Sequence, residues 1–435
     1  MIPARHRIPL GLLTTLAEGG SDADAIRLLG AADLSRRLLL IRGVVELSRR
    51  MGHARQGLVS EAYELLAAVQ QVAPKAVDEV LRYPAVGLWA WHTVRGLMSG
   101  WRDERTDPAG LALVAGAAAV RAGFGCRILV PVTEGAVTLP SLGRAIVGGC
   151  SSKTSLLCCE PGGTEIIAGH VSVSIPDGPE RDTANWRGLR VISAEAEGEN
   201  IRLIIDDLDP YRMPGPLLRG RLTEAETDSW ARCLADAWHL VIRSHRTVAG
   251  EVAEIVRVMT PLAASPGGGQ VSASSRETYG CIGVSSATSP IELAVTLAHE
   301  IQHSKLFVID SVEPLTLPED GSRFYAPWRT DPRPLSGLLQ GAYAYLGVAG
   351  FWRRQRLVED VGKVGFHAHV EFARWRIAVA QVAGILLGSH RLTGAGEAFV
   401  GCMAQVAGAW CEERVAPEAA ALASEAAARH ARRWT

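Results

Sequence analysis

Two histidines four residues apart, flanking a glutamate, constrain this chain more than any other feature. His299-Glu300-Ile301-Gln302-His303 form an HExxH pattern. At 3.6 residues per turn, the two imidazoles differ by about 40° around a helix and lie one turn apart. Both can then reach one metal ion, with Glu300 beside it. The spacing is rare by chance: with 12 histidines in 435 residues, random placement yields it roughly 0.02 times. Pro290 opens the helix, and Ile291, Leu293, Val295, Leu297 and Ala298 give it an apolar body over 291–309. A short strand over 279–285 precedes it, as an edge strand does in zinc peptidases.

The residues alone leave the third ligand open. Leu306 and Ile309 stand where a metzincin needs a glycine and a ligand. Asp310 shares the helix face of His303 but lies about 10 Å further along the axis, out of reach unless the helix bends. The next helix, expected over 335–357, carries Gln340 near its start. Glu359 and Glu371 are carboxylates on later segments, and His367 and His369 form an HxH pair. Each of these alone also reads as ordinary surface or core. Between the two helices, 324–334 joins Phe324, Tyr325 and Trp328 to Arg329, Arg333 and three prolines. A loop this stiff suits a pocket wall, and arginine suits a bidentate carboxylate contact. Loop–core packing with surface salt bridges is the plainer alternative.

Hydrophobic residues make up 48% of the chain and charged residues 21%, a globular balance that suits two or three packed units. Lys plus Arg (45) and Asp plus Glu (46) nearly cancel, so no global field favours nucleic acid or an anionic membrane. None of the eight cysteines forms a CxxC pair, and Cys158-Cys159 read as buried free thiols in an apolar run. The amino terminus lacks a signal-peptide apolar core, and no apolar run approaches the roughly 20 residues of a membrane span. A cytoplasmic setting is expected. Asp206-Asp207-Leu208-Asp209 lacks the glycine and distal glutamate of a calcium loop and reads as a turn. The glycine loop at 265–270 is not followed by a phosphate-loop lysine. Arg429-His430-Ala431-Arg432-Arg433 reads as a basic helix end.

Periodicity divides the chain into a helical region (1–122), a β-rich region (123–220) and a helical metal-binding catalytic region (221–435). Helices are expected around 25–40, 58–72, 86–97, 111–122 and 230–246, and strands at 127–132, 135–140, 190–194 and 200–205. The expected class is α+β, predominantly helical, with a β-rich middle and a zincin-like HExxH metal helix.

Three segments carry a resemblance: HEIQHSKL at 299–306, YAPWRTDPRP at 325–334 and SGLLQGAYAYLGVAGFW at 336–352. Weaker ones are LRYPAVG at 81–87, LPSLG at 139–143 and EFARW at 371–375. Together they resemble the α-ketoglutarate-dependent HExxH-type peptide β-hydroxylases of ribosomal peptide natural-product pathways. The resemblance implies iron(II), 2-oxoglutarate and O2, with a ribosomally made precursor peptide hydroxylated at a side-chain β-carbon. It implies His299 and His303 as metal ligands, Gln340 as the third with Asp310 in reserve, and Arg329 and Arg333 for the keto-acid carboxylate. Glu300 would orient a ligand or substrate. Two other readings stand beside it. One is a zinc peptidase in which Glu300 deprotonates metal-bound water; the other is a non-catalytic peptide-binding protein.

Overall fold

A computed structural model describes residues 4–100, 106–148, 153–215, 217–264, 270–287, 289–359 and 362–432. The class is α+β with helices predominating. Among the described residues, six helices come first: α1 (Leu10–Ala17), α2 (Ala23–Arg50), α3 (Gln56–Val72), α4 (Pro74–Leu81), α5 (Pro84–Ser99) and α6 (Leu111–Ala122). The two apolar segments at 25–29 and 36–40 lie on the single 28-residue helix α2, capped by the Asp22 side chain on Ala25 N. Pro74 and Pro84 each open a helix rather than merely ending one.

Nine strands follow: β1 (Cys126–Pro131), β2 (Ala136–Leu139), β3 (Gly143–Ile146), β4 (Thr154–Glu160), β5 (Gly163–Ala168), β6 (Val171–Ile175), β7 (Trp186–Gly188), β8 (Arg190–Ala196) and β9 (Glu199–Ile205). Then come α7 (Glu224–Ser244), α8 (Arg246–Ile255), β10 (Val258–Pro261), β11 (Ser272–Ala273) and β12 (Cys281–Val284). Five helices come last among the described residues: α9 (Pro290–Val312), α10 (Leu335–Val358), α11 (Gly362–Gly388), α12 (Gly394–Cys411) and α13 (Pro417–Arg432). The glycine loop singled out at 265–270 lies, but for Gln270, outside the described residues.

The strands form three sheets. β1-β4-β5-β6 and β2-β3-β7 are antiparallel, and β11-β12-β10-β9-β8 is mixed. In the mixed sheet β9, β10 and β12 run parallel, while β8 and β11 are antiparallel edges. Every residue of β10 and β12 is buried, as central strands covered on both faces require, whereas β8 alternates inward and outward. This sheet takes β8 and β9 from before residue 220 and β10–β12 from after it, so the division drawn there cuts through one element. The amino-terminal region is shared likewise. Leu13, Leu16 and Leu29 pack with Leu306, Leu339 and Phe399, while Val59, Val80 and Val86 pack on the first sheet.

Buried polar hubs join these layers. Arg37, 1% exposed, binds Asp33 at 2.6 Å and donates to the carbonyls of Tyr83 (2.8 Å) and Tyr279 (2.7 Å). Asp206 is a turn anchor, as expected: it accepts from Leu208 N, Asp209 N and the Tyr83 hydroxyl. Arg429, His430 and Arg432 of the basic run lie in the last turn of α13, while Arg433 lies outside the described residues. No described helix is long and apolar enough to cross a membrane.

Candidate metal centre

α9 begins at Pro290, with the Ser289 hydroxyl accepting from Glu292 N, and continues through residue 312. One face is locked into the core. Lys305 is fully buried and donates to Glu251 at 2.6 Å; the Ser21 hydroxyl binds the same Glu251 oxygen. Gln302 and Lys305 both donate to Gly19 O, at 3.0 and 3.2 Å. α10 crosses closely at Gly347, where a Cβ would meet Gln302 Cγ at 2.6 Å and Ala298 O at 2.9 Å. The HExxH turn is therefore held from behind, with His299 and His303 half-buried on the opposite side.

That side opens on a cleft of about 690 Å³. The structure brings His299, Glu300, His303, Asp310, Arg329, Arg333 and Gln340 to its lining. The two imidazoles are 4.8 Å apart between ring centroids and near-perpendicular. Burial pushes the His299 imidazolium down to about 4, against the pull of Glu300, so the ring is neutral at pH 7 with a lone pair to donate. His303 Nδ1 donates to Gln340 Oε1 at 3.0 Å. This leaves Nε2 of His303 as the ring's acceptor, the tautomer of a metal-binding histidine held by a carbonyl oxygen on its other nitrogen.

Glu300 is only 2% exposed. Its Oε1 accepts from Ser272 Oγ at 2.6 Å and its Oε2 from Ser274 Oγ at 2.7 Å. Ser272 and Ser274 are two apart along the edge strand β11 and its extension, so their side chains share one face and meet α9 together. Sequence reasoning missed both; an alternating serine pair shortly before the motif was the available signal.

Asp310 lines the cleft, but its Oδ2 binds Arg276 at 2.7 Å and its Oδ1 accepts from Leu315 N at 3.2 Å. α9 continues through residue 310, so Asp310 stays two turns beyond His303. Arg329 and Arg333 share Asp331, at 2.8 and 3.4 Å. Reciprocal backbone bonds between Phe324 and Arg333, 2.8 and 2.9 Å, close their loop. Tyr325 OH pairs with His430 Nδ1 at 2.8 Å, tying that loop to α13.

The remaining wall is aromatic. Tyr345 stands 5.2 Å from the His299 ring, stacks on Trp328 at 4.9 Å and packs on Trp375 at 4.1 Å. Trp328 lies flat on α10: a Cβ on Gly341 would come within 2.4 Å of its indole. Glu371 accepts from Trp375 Nε1 at 2.7 Å, behind the stack. Neither Glu371 nor Glu359, His367 or His369 lines the cleft. His367 packs edge-on against Trp352 instead.

Among the described residues, no three His, Cys, Asp or Glu side chains gather as a metal cage. The donor set at hand is two neutral-capable imidazoles with an amide oxygen alongside. It fits a metal held by few protein ligands, with positions left to exogenous ones. No protein-family model matches the chain, and no curated protein is similar to it in sequence.

Proposed function

We propose that the chain is an iron(II)- and 2-oxoglutarate-dependent oxygenase that hydroxylates side chains of a ribosomally made precursor peptide at the β-carbon. The observation that carries this reading is the disposition of Glu300 against that of the histidines. All three side chains line the cleft, but Glu300 is 2% exposed with each carboxylate oxygen accepting from a serine hydroxyl, whereas the two imidazoles are only half-buried. A peptidase would need Glu300 turned to the metal-bound water as its base. An oxygenase needs it only as a fixed charge beside His299.

In this reading His299 and His303 hold the metal through ring nitrogens, and Gln340 orients His303 from behind or joins it as a weak oxygen ligand. Iron(II), when bound, supplies the one-electron and O2 chemistry that C–H hydroxylation requires. Arg276, Arg329 and Arg333 line the same cleft as the histidines. They make it attractive to a dianionic keto acid, with Arg329 and Arg333 able to exchange Asp331 for a substrate carboxylate. Trp328 and Tyr345 supply a rigid apolar wall that excludes water and braces the peptide side chain.

The test is succinate release from 2-oxoglutarate by anaerobically iron-loaded protein, then exposed to O2, with candidate precursor peptides. Peptide-stimulated succinate that disappears in His303→Ala supports the oxygenase. No succinate, together with zinc-restored peptide cleavage, replaces it with the peptidase.

A further inference from the structure

The first sheet, none of whose residues lines the cleft, places two cysteines face to face. β1 and β4 are antiparallel, and Cys126 is directly opposite Cys159 in their register. Directly opposed residues in an antiparallel pair have Cα atoms about 4.5 or 5.5 Å apart and project to the same face. Both separations fall inside the range of roughly 4.4–6.8 Å that a disulfide spans. The two side chains share the inner face: Cys159 belongs to the core with Ile128 and Leu157, and Cys126 packs against that core from the end of the ladder. Each thiol perturbs the other: Cys159 and burial push the Cys126 thiol up, and Cys126 pulls the Cys159 thiol down. Cys126 is half-buried, Cys159 buried, and both are free.

The neighbouring Cys158 serves as an internal control. Its register partners are Arg127 on β1 and Glu165 on β5, and it points to the opposite face of the sheet. It cannot reach Cys126 without a one-residue slip that would turn the whole inner row outward.

We propose that Cys126 and Cys159 are a redox-modifiable pair, closed to a cross-strand disulfide by hydrogen peroxide. Two S–H bonds break and one S–S bond forms. The two protons and two electrons released reduce the O–O bond of peroxide to two waters. The bridge would staple the start of β1, just after the α6–β1 turn at Gly123, to the end of β4.

Full-length protein would be treated with hydrogen peroxide under native conditions, quenched in acid, denatured, alkylated and mapped by peptide mass. The expected product is a cross-linked peptide pair holding 126 and 159, short of two hydrogens and separated by reductant. It persists in Cys158→Ser and is lost in Cys126→Ser. Complete alkylation of both thiols after oxidation overturns the proposal, as does a bridge that includes Cys158. The wild-type map alone decides between these results, so a poorly folding variant does not blunt the test.

Discussion

His303 is set by one hydrogen bond. Gln340 Oε1 at 3.0 Å takes the Nδ1 proton and fixes both ring orientation and tautomer. Replacing it with leucine leaves Nδ1 half-buried without that acceptor, and metal affinity should fall about 10–100-fold. Gln340→Glu should retain tight binding. Competition against a chelator with iron(II), or with zinc as a probe, reads this directly; unchanged affinity in Gln340→Leu would remove the orienting role. A second histidine has a purely structural role. His245 stacks on Phe351 at 4.0 Å and bonds Gln355 at 2.8 Å. Burial drives its imidazolium down to about 4 from 6.5. Between these values the unfolded chain binds more protons than the folded one. The stability His245 contributes is therefore whole above about pH 6.5 and lost as pH falls toward 4, up to about 3 kcal/mol. Urea denaturation at both ends of that window, in wild type and His245→Gln, should show a shallower acid loss in the variant.

At the scale of elements, the cleft depends on how α9 is held. The Lys305–Glu251 pair is buried, with Lys305 0% and Glu251 2% exposed, and it links α9 to α8. Removing one partner strands a charge in the core, so Glu251→Ala should cost about 3–5 kcal/mol, while Glu251→Leu with Lys305→Met should recover much of it. Thermal melts of the wild type and these two variants test this; an undiminished melting temperature in Glu251→Ala would contradict the buried-pair assignment. The pair was not legible in the sequence, because its partners are 54 residues apart and neither residue type marks burial. α9 and α10 themselves were legible, since Pro290 and the apolar spacing announce them. Strands β4 to β6 are read only as β-rich chain, although Pro161-Gly162 marks the β4–β5 turn and Gly169 the β5–β6 turn. β10 was missed altogether: four residues that are wholly buried show no period to read.

For the whole molecule, two of the packed cores meet along the HExxH helix, one on its first turns and one on its last, rather than following the linear order of the chain. α1 and the first turns of α2 pack with α9, α10 and α12, and the mixed sheet is completed across residue 220. A linear reading cannot find such returns, because closure between distant segments leaves no local pattern. The cleft residues were legible where chemistry dictates spacing, as at His299 and His303. They were not where a side chain is recruited from another element, as with Ser272, Ser274 and Arg276. The cleft combines two outward imidazoles, three arginines and an aromatic wall, and the claim that this assembly hydroxylates a peptide can be tested by mass. Iron-loaded protein, 2-oxoglutarate and isotopically labelled O2 would be incubated with a candidate precursor peptide, and the intact peptide weighed. The account predicts a gain of one oxygen atom derived from O2, absent in His299→Ala. Two fragments whose summed mass exceeds the peptide by one water would contradict it.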